Sequence, residues 1–197
     1  MLPNNKICNI IVTGCGGQGV LTLAEILAKA AQKSGAEVKE AELHGLSQRG
    51  GPLECHLRFG QQIYSPLIRR ADADLIIGLE LLETLRACYY ASKDKTIILG
   101  NDRYLSPDPA ARLTAQNKKI RQDLKKFCQQ LYLVDVDDIL AKNNLNLSLI
   151  NTFMLGVLVE KNILPIKKEY IWQAIREKIK PQFWAENEKV FNLAQEI

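Results

Sequence analysis

The sequence predicts a three-layer α/β/α domain with a mostly parallel but mixed sheet and closing C-terminal helices. Three observations carry that expectation. Strand-like and helix-like runs alternate along the chain, and glycine-bearing corners separate several of them. Apolar residues make up 47% of the 197 residues and charged residues 24%, enough for one sizeable core. No repeat, low-complexity tract or linker divides the chain, so residues 1–197 read as a single domain.

Residues 7–13 form an apolar run that reads as a buried strand. Residues 20–34 read as a helix with Leu21, Ala24, Leu27, Ala28 and Ala31 on one face, stopped by Gly35. Residues 37–43 are a second strand. In residues 53–59, Leu53, Cys55, Leu57 and Phe59 alternate with Glu54, His56 and Arg58, the period of a strand with one wet face. His56 is thereby expected at the surface, and Gly60-Gln61 is expected to turn the chain into a hairpin at residues 62–64. Strands follow at 74–79, 95–99 and 131–136. Helices follow at 80–91, over most of 108–130, and at 146–162, 168–180 and 183–195, with Pro165 and Pro181 as breaks.

The net charge of +4 is too small and dispersed to imply nucleic acid. Lys118, Lys119, Arg121, Lys125 and Lys126 read as the solvated face of a helix rather than a patch for an acidic partner. The cysteines at 8, 15, 55, 88 and 128 are odd in number and widely spaced, with no CxxC. Buried reduced thiols and a cytoplasmic location fit them better than a metal or iron–sulfur site. No signal peptide is recognisable, and no apolar run is long enough to span a bilayer.

The most informative stretch is Gly14-Cys15-Gly16-Gly17-Gln18-Gly19, between the first strand and the first helix. Such a corner exposes unpaired N–H groups at the positive end of a helix dipole, which suits an anion. The corner admits three readings: a plain tight turn, a site for an anion or partner loop, or a Rossmann-like dinucleotide site. The last requires an acidic residue about 20 positions on to hold a ribose, for which Glu40 or Glu42 is available. No lysine follows the last glycine, so the corner is not a triphosphate-binding loop. A second corner, His44 to Pro52, carries Ser47, Gln48, Arg49, Gly50 and Gly51 at the carboxyl end of the second strand. That end of an open sheet faces the same crevice as the first corner. Arg49 supplies a fixed cationic fork for carboxylate or phosphate. His44 is either a general acid or base partnered by Glu42, two positions away on the strand, or a residue that fixes the loop. Glu80, at the tip of the 74–79 run, reads as a helix cap, with a side chain reaching into the crevice as the alternative.

Taken together, residues 12–21 and 41–51 resemble the opening signatures of the gamma-type subunit of 2-oxoacid:ferredoxin oxidoreductases. Tyr64-Ser65-Pro66-Leu67-Ile68, residues 73–80, Leu155-Gly156 and residues 187–195 extend the resemblance over nearly the whole chain. Among these enzymes, the indolepyruvate branch is the most similar. Cys15 departs from the apolar or proline residue expected there, and residues 101–104 match loosely.

The resemblance implies a catalytic-type gamma domain in oxidative decarboxylation of a 2-oxoacid to an acyl-coenzyme A, with electrons passed to ferredoxin. The chain has neither the GDG…NN signature for thiamine diphosphate nor a cysteine set for a cluster. Both cofactors are therefore expected on a larger partner subunit, and this chain is expected to be inactive alone. Coenzyme A is a possible ligand at the interface, with Gly14, Gly16, Gly17, Gln18, Gly19, Ser47, Gln48, Arg49, Gly50 and Gly51 as the binding residues. The competing readings are a free-standing NAD(P)-dependent dehydrogenase and a nucleotide- or coenzyme A-binding adaptor.

Overall fold

The computed structural model describes residues 7–44, 50–105 and 114–196. Among these, six strands form one sheet: β1 (Cys8–Cys15), β2 (Glu37–His44), β3 (Pro52–Gly60), β4 (Leu75–Gly78), β5 (Ile97–Asn101) and β6 (Gln130–Val134). Their spatial order is β2-β3-β1-β4-β5-β6. β1, β4, β5 and β6 run parallel, and β3 is antiparallel to both β1 and β2. β2 therefore points the same way as β1, and five of the six strands end at one edge.

The central strands are apolar on both sides because both faces are covered. Ile10, Val12, Leu57, Leu75 and Ile77 enter one core, against α1 (Val20–Lys33), α5 (Ile150–Glu160), α6 (Lys168–Lys178) and α7 (Trp184–Leu193). Ile11, Ile76 and Ile98 enter the other, against α2 (Leu81–Ala87) and α3 (Thr114–Leu124). Helix α4 (Val136–Lys142) contributes Val136 and Leu140 to the first core.

The sequence period was right for β3, but its consequence for His56 was not. His56 is 1% exposed. Its second face meets residues 61–73, whose Ile63, Ile68 and Ala73 point inward, instead of water. The Ile68 N–H donates to His56 Nδ1 at 2.9 Å, so the ring's proton sits on Nε2, 2.9 Å from Glu54 Oε1. Tyr90 packs edge-on against the imidazole at 4.8 Å.

The hairpin expected at residues 62–64 does not form. Both edges of β3 are taken by β1 and β2, so no ladder remains for a third strand. The hairpin is β2–β3 instead. The expected helix at 80–91 ends at Ala87 and tightens into a 3₁₀ turn at Cys88–Tyr90. The expected helix at 146–162 opens with a similar turn at Leu147–Leu149. The strand expected at 131–136 ends at Val134 and gives way to helix α4, whose cap is Asp135, accepting the Asp138 N–H at 3.1 Å. Gly35 ends α1 at φ +86°, as its position suggested. The basic side chains at 118, 119, 121, 125 and 126 are exposed. No helix among the described residues is long and apolar enough to cross a membrane.

Candidate functional site at the carboxyl edge of the sheet

The corner between β1 and α1 is a built loop. Gly17 and Gly19 sit at φ +96° and +84°, backbone that a side chain resists. Gln18 folds back into the loop: its Oε1 accepts the Cys15 N–H at 2.7 Å and its Nε2 donates to the Leu79 carbonyl at 3.3 Å. Gly14 makes room for that amide, since a Cβ there would lie 2.7 Å from Gln18 Oε1. The Gly16 N–H donates to the Gly51 carbonyl at 2.9 Å, which ties the first corner to the end of the second. Gly50 adopts φ +71° beside it. Ser47, Gln48 and Arg49 lie outside the described residues, as does the His44 side chain.

Helix α1 starts at this corner with no side-chain cap and no acidic residue in its first turn. Its N–H groups at Val20, Leu21 and Thr22 have no acceptor within the helix. The positive end of the dipole is thus aimed at the edge. Asn151, at the head of α5, clasps the loop from behind by donating to the Gly19 carbonyl at 3.0 Å. Sequence reasoning missed Asn151, because a lone amide at the start of an apolar helix gives no local sign of a contact 132 residues away.

The other side of the edge is acidic. Cys15 Sγ and carboxylate oxygens of Glu80 and Glu83 lie within 4.8 Å of one another. Glu80, 1% exposed, caps α2 by accepting the Glu83 N–H at 2.8 Å, and its second oxygen accepts the Leu105 N–H at 3.0 Å. The expected capping role is therefore present, together with a clamp on the chain after β5. Glu83 pairs with Arg86 at 2.5 Å. Burial raises the Glu83 pKa, the Arg86 charge opposes that rise and the Glu80 charge adds to it. Arg103 pairs with Asp137 at 2.9 Å, and Asn101 Nδ2 donates to the same carboxylate at 2.9 Å. The carboxylates of this cluster are thus committed to protein partners. A groove of about 280 Å³ opens beside them, lined by Thr13, Leu43, Pro52, Leu53, Glu54, Glu83 and Arg86.

None of the five cysteines is in a disulfide, and four are buried; only Cys15 is half-exposed. Burial raises its thiol pKa first, and the Glu80 and Glu83 charges raise it further. The Cys55 and Cys88 thiols are pushed up to about 12 by burial. Ellman's reagent is accordingly expected to modify Cys15 first in the native protein, at a rate still climbing above the ordinary thiol pKa of about 8.5. Cys15→Ser should remove that phase. A rate that levels off below pH 8 would contradict the assigned environment.

The dinucleotide reading loses its third requirement. β3 separates β1 from β2: Glu42 lies opposite Cys55, which lies opposite Val12. Glu40 and Glu42 are thus two strand spacings from β1, roughly 9.5 Å, where a ribose held at the glycine corner would need one spacing. Burial raises the Glu40 pKa, and Glu25 and Glu42 add to it. Both Glu40 and Glu42 are exposed, so the rise at Glu40 is an effect of partial desolvation.

The family model for pyruvate ferredoxin/flavodoxin oxidoreductase matches residues 9–197. The indolepyruvate oxidoreductase subunit IorB of Archaeoglobus fulgidus is 36% identical over 175 residues, 87% of this chain and 86% of the relative. The same-named subunit of Pyrococcus horikoshii is 31% identical over 192 residues, 95% and 94% of the two chains. In fold, the chain resembles the pyruvate oxidoreductase subunit PORC of Thermotoga maritima, with a TM-score of 0.69 and 24% identity over 98% of this chain and 97% of that one. It also resembles part of the 2-oxoglutarate:ferredoxin oxidoreductase of Magnetococcus marinus, with a TM-score of 0.74 at 16% identity, covering 98% of this chain and 31% of the other. By the family match along almost its entire length and by its similarity to these subunits, the chain belongs to the pyruvate ferredoxin/flavodoxin oxidoreductase family.

Proposed function

We propose that this chain is the subunit without redox cofactors of an indolepyruvate:ferredoxin oxidoreductase. The complex oxidatively decarboxylates an arylpyruvate, passes electrons to ferredoxin and releases an acyl-coenzyme A. Thiamine diphosphate and the iron–sulfur clusters reside on a larger partner and supply the carbon and electron chemistry there. The IorB relatives support this reading of substrate, and the reduced thiols support a cytoplasmic setting.

One observation carries the role of this chain's own residues: the Gly16 N–H to Gly51 carbonyl bond, which joins two amide-rich corners at one edge. Gly14, Gly16, Gly17 and Gly19 shape the first corner, and Gln18 holds it in register through its two internal bonds. The first-turn N–H groups of α1 receive an anion, either a coenzyme A phosphate or a carboxylate of the partner. Ser47, Gln48, Arg49, Gly50 and Gly51 complete the receptor, with Arg49 as its charged clamp. The acidic cluster at Glu80 and Glu83 confines the anion to the α1 side. Glu42 and His44, at the end of β2, are proposed to orient the second corner.

The test is Arg49→Ala in the reconstituted complex. A lost charge-assisted bond of about 1.5–3 kcal/mol should raise the apparent dissociation constant for coenzyme A, or weaken assembly, by tenfold or more. Unchanged coenzyme A affinity together with unchanged assembly overturns the role.

A further inference from the structure

The segment between β3 and β4 crosses the second face of the sheet as a strap bounded by Gln62 and Ala71. Both sit in left-handed backbone, at φ +55° and +56°, which side chains resist. On either side of its middle the strap is tied by groups that do not titrate near neutrality. The Arg58 guanidinium donates to the Ser65 and Leu67 carbonyls at 2.7 and 3.5 Å, and the Ala71 N–H donates to the Tyr89 carbonyl at 3.3 Å. The middle is tied by a group that does titrate: the Ile68 N–H donates to His56 Nδ1 at 2.9 Å.

That bond exists only while the imidazole is neutral. Nδ1 offers its lone pair to Ile68, and Nε2 carries the ring's one proton toward Glu54. A second proton can go only to Nδ1, where it would face the Ile68 N–H, donor against donor. His56 and Ile68 are both buried, so neither donor can turn to solvent unless the strap moves. The other nitrogen favours the charge, because an imidazolium would form an ion pair with the Glu54 carboxylate 2.9 Å away. The ring thus has two arrangements with different contacts: neutral and holding Ile68, or charged, paired to Glu54, with Ile68 released.

On β3 the ring stands between Glu54 and Arg58. β1 and β2 set Ile11 and Ala41 opposite it, and Lys39 of β2 lies opposite Arg58. Tyr90 packs against the ring and its hydroxyl bonds to Glu54; burial first, and the Glu54 charge next, push its pKa up to about 12, so it remains a donor near neutrality. Glu83 and Arg86 of α2 line a groove together with Glu54, and Arg69 and Arg70 follow Ile68 on the strap. Burial raises the Glu83 pKa, so its proton uptake has to be told apart from that of the ring.

We propose that His56 is an acid-operated latch: proton uptake at Nδ1 releases the strap around Ile68 from β3 while the sheet stays folded. The fastening is present above the titration of the ring and is lost as pH falls through it. The latch is independent of the proposed function, since it involves only this chain.

The test is nuclear magnetic resonance of the ¹⁵N-labelled full chain between about pH 8 and pH 5, the range in which histidine changes charge. The ring nitrogen shifts of His56 report its own protonation, apart from that of Glu83. Hydrogen exchange at the Ile68 N–H, normalised to the rate of a free amide at each pH, reports the latch. Ile68 protection is expected to fall at least tenfold along the same curve as the ring shifts, while Ile11 and Ile76 keep theirs. His56→Asn supplies an Oδ1 acceptor that does not titrate, and Ile68 protection in that variant should be flat with pH. Glu54→Gln removes the counter-charge and should move the ring and Ile68 transitions together to lower pH. Unchanged Ile68 protection while the wild-type ring takes up its proton overturns the latch. So does a ring that stays neutral until the amides of the sheet also exchange. Both overturning results are read on the wild-type protein and do not depend on the folding of either variant.

Discussion

Gly156→Leu is expected to be the most damaging single substitution in the apolar layer, costing about 3 kcal/mol and lowering the melting temperature by roughly 6–12 °C. Gly156 is buried in α5, where it faces α7. Even a Cβ would lie 2.6 Å from both the Ala194 Cβ and the Phe191 carbonyl oxygen. Neither atom is the free end of a flexible side chain, so the two helices must part. Gly156→Ala is the sharper probe, because its sign is diagnostic. In an exposed helix that change stabilises by about 0.5–1 kcal/mol, whereas here overpacking should outweigh propensity and the protein should melt lower. Thermal unfolding of the wild type and the two variants decides the matter. A Gly156→Ala protein more stable than the wild type would mean that α5 and α7 are not in this contact.

Gly19→Val is expected to damage the site more than the fold. Gly19 has φ +84°, and a β-branched residue is strongly disfavoured there, a cost on the order of 1–3 kcal/mol. The new Cβ would also stand 2.4 Å from Asn151 Nδ2, displacing the amide that holds the Gly19 carbonyl. The Asn151 Oδ1 is already buried without a partner, so the side chain would lose its remaining bond. An orphaned buried donor adds about 1–3 kcal/mol. Because Gly19 caps α1, the strain falls on the N–H groups proposed to receive the anion. A displacement near 1 Å at such a point is enough for about a 100-fold loss. The reconstituted complex carrying Gly19→Val should therefore turn over about 100-fold more slowly, while the free chain still melts cooperatively. Wild-type turnover would remove the first corner from the working site.

How far the molecule was legible from sequence depended on whether the signal was local. Gly17, Gly19 and Gly35 occupy left-handed backbone where the sequence placed a corner and a helix end. The apolar runs became buried strands, because an uninterrupted Ile-Ile-Val or Leu-Ile-Ile stretch can be sheltered only between two layers. The fate of His56 was not local. Alternation in β3 shows which residues share a face, but not whether that face meets water or a strap 12 residues downstream. The antiparallel insertion of β3 between β1 and β2 is likewise decided by pairing partners. That insertion moves Glu40 and Glu42 away from the glycine corner. At the site, the two glycine-rich corners were visible as composition, and their meeting through Gly16 and Gly51 follows from strand direction. The Asn151 clasp and the second bond of Glu80 to Leu105 depend on distant segments converging and left no periodicity to read.

This chain is proposed to shape an edge for chemistry whose reactive centres belong to another subunit. That division is tested most directly by assaying arylpyruvate-dependent reduction of ferredoxin in the presence of coenzyme A, with the purified chain, the larger subunit, and the two together. No turnover is expected from this chain alone, and full turnover only when both are mixed in assembling proportion. Substrate turnover by the isolated chain, or equal activity of the larger subunit with and without it, would show that the reactive centres are not divided in this way.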